Sequence, residues 1–177
     1  MPAAGPVRYL LTDCTLGRLI VAATPAGVCY AAIVDAPDAT IADLRSHFPD
    51  ATTSADEQIS RWADAFARHV EDTTTALAVP LDIQGSDFRK RVWAELQRIP
   101  PGTTITYTEL ARRCGCPESV RAVASACAAN LIAVAIPCHR VIRTDGSLSG
   151  YRWGIERKRT LIERESRSKQ IQGSLFS

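Results

Sequence analysis

Between residues 7 and 34 short apolar runs alternate with turn-forming residues. Tyr9-Leu10-Leu11 and Leu19-Ile20-Val21 flank Thr15-Leu16-Gly17-Arg18, which predicts a hairpin. Thr24-Pro25-Ala26-Gly27 predicts a second turn, and Val28 to Val34 a further strand. The period then changes. Ile41, Leu44 and Phe48 predict a helix capped by Asp38 and stopped by Pro49. Ser54-Ala55-Asp56-Glu57 fits a capping box, with Ser54 accepting from the Glu57 backbone and the Glu57 side chain reaching back. The helix it opens places Ile59, Trp62, Phe66 and Val70 near one face. Leu77 to Ile83, broken by Pro80, reads as an edge strand or a linker. A domain boundary is expected at Gln84-Gly85, which makes residues 1–83 a first domain.

Beyond the boundary the pattern is mainly helical. Ser86 or Asp87 caps a helix whose apolar stripe is Phe88, Val92, Trp93, Leu96 and Ile99; Pro100-Pro101-Gly102 ends it. Thr106-Tyr107-Thr108-Glu109 is a second capping-box pattern, opening a short helix to Cys114. Gly115 and Pro117 bracket a turn, and a longer helix is expected from Pro117 to Ala129, stopped at Asn130. A short helix, a Gly-containing turn and a longer helix predict a helix-turn-helix. The longer helix is rich in small residues, with Arg121 its one long reader. Its small face permits close backbone approach, either to protein or to a narrow nucleic-acid groove. Residues 131–142 include an apolar, strand-like run into Pro137-Cys138-His139-Arg140. Asp145-Gly146 is a turn, and residues 155–165 close the domain as a helix with Ile155, Leu161 and Ile162 inward. The tail at 166–177 is polar and expected to fray.

The chain has 177 residues, and 46% of them are apolar, enough to build a core. Neither a membrane span nor a signal peptide is evident, the latter sought over Met1 to Gly17, so a cytoplasmic location without membrane association is expected. The net charge of +2 conceals an uneven distribution. Residues 1–83 carry five arginines and no lysine against eleven acids, a net −6. Residues 84–177 carry sixteen basic residues against eight acids, a net +8. Such a split suits a polyanion-binding module joined to one that is not, or two surfaces that merely balance. The six cysteines, with no export signal, do not predict a disulfide framework. Their spacing to the three histidines does not form a zinc site, and no metal or cofactor is expected.

Cys138 is the most informative cysteine. A thiol must lose its proton to act as a nucleophile, and an unperturbed one is only slightly ionised at neutral pH. His139 beside it offers an imidazole to take that proton, and an imidazole so used needs an orienting partner, usually a carboxylate.

The string Ile136-Pro137-Cys138-His139-Arg140-Val141 resembles the signature of the O6-alkylguanine-DNA alkyltransferases. Asp87-Phe88, Val92-Trp93, Thr106-Tyr107, Val120-Arg121-Ala122-Val123, Asn130 and Gly150-Tyr151 fall in the order and spacing of that family. The resemblance covers residues 84–165 strongly and 7–83 more loosely. The segment Asp145 to Gly154 looks most like the family's bacterial adaptive-response branch, whose separate metal-binding regulatory portion has no expected counterpart here. The resemblance implies an α+β fold: a small N-terminal sheet with helices, then a largely helical winged helix-turn-helix domain over 84–165. It implies direct-reversal DNA repair. Cys138 attacks the alkyl carbon on guanine O6, with thymine O4 as a further substrate atom, and the stable thioether limits each molecule to one event.

The same resemblance assigns roles. His139 accepts the thiol proton through a water, and Glu165 holds and polarises His139. Tyr107 presses on the flanking phosphate and donates to the base ring. Arg121 fills the space left by the flipped base, and Asn130 braces the hinge before the Cys loop. Backbone groups of Cys138 and Val141 read the guanine edge, and the Arg152 amide approaches O6. Thr106, Ser119, Val120 and Tyr151 complete the DNA- and substrate-binding set. The implied partner is double-stranded DNA entered through the minor groove, bound by a monomer without an obligate protein partner. Trp153 and Arg152 stand where other members carry small residues, and Trp153 is expected to narrow the pocket toward methyl adducts. Two other readings compete: a non-catalytic DNA-binding regulator and a cysteine hydrolase. The first makes no use of Cys138, and the second needs an oxyanion hole that nothing in the sequence marks.

Overall fold

The computed structural model describes residues 5–175 and divides into two compact units. The first comprises residues up to Glu71 together with Ala76–Gly85 and Leu131–Ala133; the second comprises Asp72–Thr75, Ser86–Asn130 and the chain from Val134 onward. Residues 1–4, the start of the stretch in which no signal peptide is expected, and 176–177 at the end of the tail lie outside the described residues.

The first unit is a four-stranded sheet with two helices. Strands β1 (Arg8–Cys14), β2 (Gly17–Thr24) and β3 (Gly27–Val34) form an antiparallel meander, and β4 (Thr52–Thr53) pairs parallel to β1, giving the order β3-β2-β1-β4. The expected hairpin is present, with Cys14 opposite Gly17. Leu19 to Thr24 and Val28 to Ile33 are buried at every position, so neither face of these two strands meets solvent. Helix α1 (Pro37–His47) packs on β3, and α2 (Glu57–Glu71) packs on β1 and β2. Ile59, Ala63, Phe66 and Val70 supply the buried stripe of α2, while Trp62 is half-buried. Residues 77–83 run as an extended linker with one bridge, Leu81 beside Val28. Gly27 permits it, since a Cβ there would lie 2.5 Å from the Pro80 carbonyl oxygen.

Both helix starts in this unit differ from expectation. Ala36 is the N-cap of α1 and makes no side-chain bond, because Pro37 at the first helical position moves the start ahead of Asp38. At α2 the cap is Asp56 rather than a Ser54–Glu57 box. Its Oδ1 accepts from the Gln58 and Ile59 amides at 3.1 Å, and Ser54 Oγ donates to its Oδ2 at 2.8 Å. An ionised carboxylate next to the free amides is a stronger acceptor than a hydroxyl one turn back.

The second unit is helical, with one two-stranded parallel sheet. Its elements are α3 (Asp87–Gln97), β5 (Ile105–Thr106), α4 (Tyr107–Arg113), α5 (Val120–Ala128), a 3₁₀ turn (Cys138–Arg140), β6 (Val141–Ile142) and α6 (Ile155–Leu175). Ser86 caps α3, and Val92, Trp93 and Leu96 bury its inner face against α4 and α5. The Trp93 indole donates to the Ala126 carbonyl at 2.8 Å, tying α3 to α5. Thr106 caps α4 by accepting from the Glu109 amide, but Glu109 turns outward to Arg112 and Arg113 instead of completing the box. Gly115, at φ +71, closes α4: its own amide bonds to Arg112 and the Cys116 amide to Ala111. That is a Schellman turn, which a residue with a side chain enters only at a cost.

Three further expectations are corrected. Helix α5 begins at Val120, not Pro117; residues 117–118 form a turn, with the Ser119 amide bonded back to Cys116. The apolar run into Pro137 is not a strand, because Val134 sits at φ +68, a left-handed conformation that breaks strand geometry after the single bridge at Ile132; pairing resumes at β6. Helix α6 does not fray at Ser166 but continues to Leu175. Its last turns carry few apolar residues, so no buried stripe advertised them.

Candidate active site

Pro137 sets the nucleophile's approach. At φ −81 and ψ 61 it forms an inverse γ-turn, with the Cys138 amide bonded to the Ile136 carbonyl at 2.8 Å. The 3₁₀ turn then carries Cys138, His139 and Arg140 into the interior, and all three are buried. Strand β6 follows, pairing Val141 with Ile105 and Ile142 with Thr106, which brings the start of α4 beside the Cys138 turn.

Helix α6 braces this turn along one stripe. Lys158, Leu161 and Glu165, spaced three and four apart, are all buried. At one end Lys158 Nζ donates to the Val141 carbonyl at 2.6 Å. At the other end Glu165 receives four residues. Its Oε1 accepts from Thr73 Oγ1 at 2.7 Å, faces His139 Nε2 at 2.8 Å and accepts from Arg140 Nη2 at 2.9 Å. Its Oε2 accepts from Arg140 Nε at 3.1 Å and the Gly102 amide at 3.1 Å. Arg140 Nη1 continues to the Ile99 carbonyl at 2.6 Å. Burial alone would raise the Glu165 pKa. The hydrogen bonds and charges of His139 and Arg140 prevail, and the carboxyl is held well below its ordinary range.

An ionised carboxylate only accepts hydrogen bonds, so His139 Nε2 carries the imidazole proton and Nδ1 is left as the acceptor. Nδ1 is buried and has no partner. Desolvation lowers the His139 pKa despite the carboxylate, which keeps the ring neutral. The Cys138 thiol is raised first by its own burial. The Asn130 amide, 3.4 Å from Sγ, and the positive charges of Lys158 and Arg152 oppose that rise. Asn130 Nδ2 also donates to the Ile136 carbonyl at 2.9 Å, spanning the γ-turn.

Cys138 lines a cavity of about 540 Å³ with Tyr107, Ala124, Cys127, Ala128, Arg143 and Ser149 to Arg152. Tyr107 OH lies 2.6 Å from Ser149 Oγ. Burial pushes the Tyr107 phenol up, with the Ser149 bond opposing it, and pushes Tyr151 well above the ordinary phenol value. Tyr151 OH is buried without a partner. Among the described residues no cluster of three or more His, Cys, Asp or Glu side chains is placed to hold a metal ion.

Of the expected site residues, the structure gathers Cys138, Tyr107, Tyr151 and Arg152 at the cavity, with Asn130, His139, Glu165 and Val141 buried behind it. Thr106 serves as the cap of α4. Arg121, Ser119 and Val120 do not line the cavity: they sit at the start of α5, with Arg121 exposed. Trp153 does not line it either. It is buried against Tyr151, with ring centroids 5.1 Å apart in an edge-on contact, so any narrowing acts through Tyr151. Sequence reasoning missed Thr73, Arg140, Ser149 and Lys158. Arg140 was marked only by its place after His139, and Thr73, 92 positions from Glu165, carried no local signal.

The family described as 6-O-methylguanine DNA methyltransferase, DNA binding domain, matches residues 87–167, the stretch from α3 into α6. The Mycolicibacterium paratuberculosis methylated-DNA–protein-cysteine methyltransferase is 35% identical over 170 residues, covering 96% of this chain and 99% of that protein. The chain belongs to the methylated-DNA–protein-cysteine methyltransferase family. The Escherichia coli Ada protein, a bifunctional transcriptional activator and DNA repair enzyme, is 45% identical over 165 residues. Those residues are 93% of this chain but 47% of Ada, so the chain spans about half the length of that methyltransferase relative. Among solved methyltransferase structures, Mycobacterium tuberculosis OGT in complex with DNA superposes with a TM-score of 0.76 at 35% identity, covering 90% of this chain and 93% of that one. The α+β architecture is that of the family.

Proposed function

We propose that this chain repairs alkylated DNA by moving the alkyl group from O6 of guanine to Cys138 Sγ. The observation that carries the proposal is the thiol itself. It lines an open cavity, takes a hydrogen bond from Asn130, and is followed by a neutral imidazole that Glu165 fixes through Nε2. One water on His139 Nδ1 relays the thiol proton, the thiolate displaces the alkyl group from O6, and the electron pair of the broken bond stays on guanine. The product is a thioether, so each molecule acts once. Thymine O4 offers the same alkyl–oxygen bond as a second substrate atom.

The target base must leave the duplex to reach a buried sulfur. In this reading residues 84–165 form a winged helix-turn-helix domain and residues 1–83 a separate N-terminal domain. α4, the Gly115 turn and α5 present α5 to the minor groove. Its exposed positions, Arg121, Ala122, Ser125 and Ala128, are small apart from the arginine, which suits close backbone approach and one intercalating side chain. Arg121 takes the space of the flipped base, with Ser119 and Val120 beside it against the backbone. Tyr107 and Thr106 meet the flanking phosphate, Tyr151 and the Arg152 amide meet the base, and carbonyls at Cys138 and Val141 read its edge. The protein works as a monomer in the cytoplasm, on the nucleoid in a bacterium.

Incubation with a duplex containing O6-methylguanine, followed by intact mass measurement, tests the proposal. One methyl addition is expected, absent in Cys138→Ala. An unmodified wild-type protein overturns it.

A further inference from the structure

We propose that Cys114 and Cys116 form a redox site in the turn between α4 and α5: a low-molecular-weight disulfide oxidises the pair to one intramolecular disulfide, and that cross-link weakens DNA binding through α5. The effect on DNA rests on the reading of α5 as the DNA-binding helix. Both thiols are free. Cys114 is the C-cap of α4 and is 5% exposed, while Cys116 is half-buried, so solvent reaches Cys116 more readily. Between them Gly115 sits at φ +71, in the left-handed helical region that closes the Schellman turn. That conformation sets the flanking Cα atoms about 5.5 Å apart, the mirror image of the spacing two residues along a right-handed helix. Disulfides span Cα separations of about 4.4–6.8 Å. The two thiols also lie within electrostatic reach. Burial raises the Cys114 thiol most, the Cys116 thiol and Glu95 raise it further, and Arg91 opposes them. A Cβ built on Gly115 would meet nothing within 4 Å, so the turn has room to adjust as the sulfurs close.

With glutathione disulfide as the oxidant, the exchange balances. The Cys116 thiolate attacks one sulfur of glutathione disulfide, forming a mixed disulfide and releasing one glutathione thiolate. Cys114 then loses its proton and attacks the Cys116 sulfur, releasing the second. Two protein thiols are oxidised, and one glutathione disulfide is reduced to two glutathiones that take up the two thiol protons. A disulfide across a single residue closes a small, strained ring, and strained disulfides are readily reduced, so the site is reversible. The turn couples it to α5. The Cys116 amide donates to the Ala111 carbonyl at 3.0 Å, and the Cys116 carbonyl accepts from the Ser119 amide at 2.9 Å. The first bond ends α4 and the second leads into α5, so Cys116 holds both helices. Pro117 restricts the Cys116 backbone, which leaves Gly115 and these two hydrogen bonds to absorb the ring strain. Ser119, Val120 and Arg121 at the start of α5 shift with them.

The full chain, equilibrated with mixtures of oxidised and reduced glutathione, gives two readouts. Tryptic cleavage after Arg113 and Arg121 leaves both cysteines in one peptide. By mass spectrometry that peptide is expected to become two hydrogens lighter, with no glutathione retained, and to regain them in dithiothreitol. Affinity for an undamaged duplex is expected to fall at least about fivefold on oxidation, the low end of ordinary coupling between sites. Cys116→Ser is expected to bind like the reduced wild type and to lose that response. Oxidation at Cys138 is common to both proteins, so their difference reports the pair. A pair that stays reduced, or that stops at mixed disulfides, overturns the proposal. So does an oxidised wild type that binds as tightly as the reduced one, or a Cys116→Ser protein that weakens as much as wild type. A reduced wild type that fails to bind the duplex overturns the DNA-binding reading of α5 instead.

Discussion

Two regions meet at Cys138 and are built on opposite terms. Behind it lies a closed cluster in which Glu165 is saturated by Thr73, His139, Arg140 and Gly102, with His139 fully buried and Glu165 2% exposed. In front lies an open cavity whose polar groups are only partly engaged: Tyr107 holds Ser149, and Tyr151 OH has no partner. The closed side is fixed before any substrate arrives, and it holds one imidazole nitrogen ready to accept a proton. The open side leaves its donors for a ligand. Stability and reactivity therefore separate: substitutions behind Cys138 disturb folding and transfer together, and substitutions in front disturb transfer with little cost in folding.

The largest effect is expected at Glu165. Glu165→Ala strands the buried Arg140 charge and costs about 3–5 kcal/mol in urea unfolding, the range for breaking a buried ion pair. An unfolding midpoint equal to wild type would show that the cluster is not closed. Asn130→Ala comes next. It removes one of two hydrogen bonds to the buried Ile136 carbonyl and the hydrogen bond to Sγ, at a cost of about 0.5–1.5 kcal/mol each. The Cys138 thiol then titrates at higher pH than in wild type, as read by the pH dependence of its reaction with an alkylating reagent.

Acid sharpens the same contrast. The folded-state pKa of Glu165 is depressed, so its contribution is present above the ordinary carboxylate value and is lost as pH falls through the folded one. Unfolding free energy is expected to decline below about pH 4.3, and Glu165→Gln to flatten that decline. The smallest stability effect belongs to the open side. Tyr107→Phe removes one hydrogen bond, about 0.5–1.5 kcal/mol, yet slows methyl transfer far more than that loss implies. Equal rates for Tyr107→Phe and wild type would remove the open side from the chemistry.

The same contrast explains what was legible in the sequence. The meander was legible because its apolar runs and turn residues are local, as with Leu19 to Val21 beside Gly17. The Cys138 string was legible because nucleophile and base are neighbours in the chain. The His139–Glu165 pair followed from the family resemblance, but the rest of the closed cluster did not, since Thr73 and Gly102 reach Glu165 across 92 and 63 positions. Nor was the burial of Lys158, because a lysine on a helix with polar neighbours reads as a solvated face. The helix starts were misplaced where two acceptors competed, as with Ser54 and Asp56. Val134 broke a run that apolar content alone marked as a strand.

Cys127 lines the same cavity as Cys138, and burial pushes its thiol far up with no imidazole beside it in sequence. It makes the central claim directly testable. Peptide mapping by tandem mass spectrometry, after reaction with an O6-methylguanine duplex, locates the transferred methyl group. The account predicts it on Cys138 alone; a methyl group on Cys127, or none on either, would contradict it.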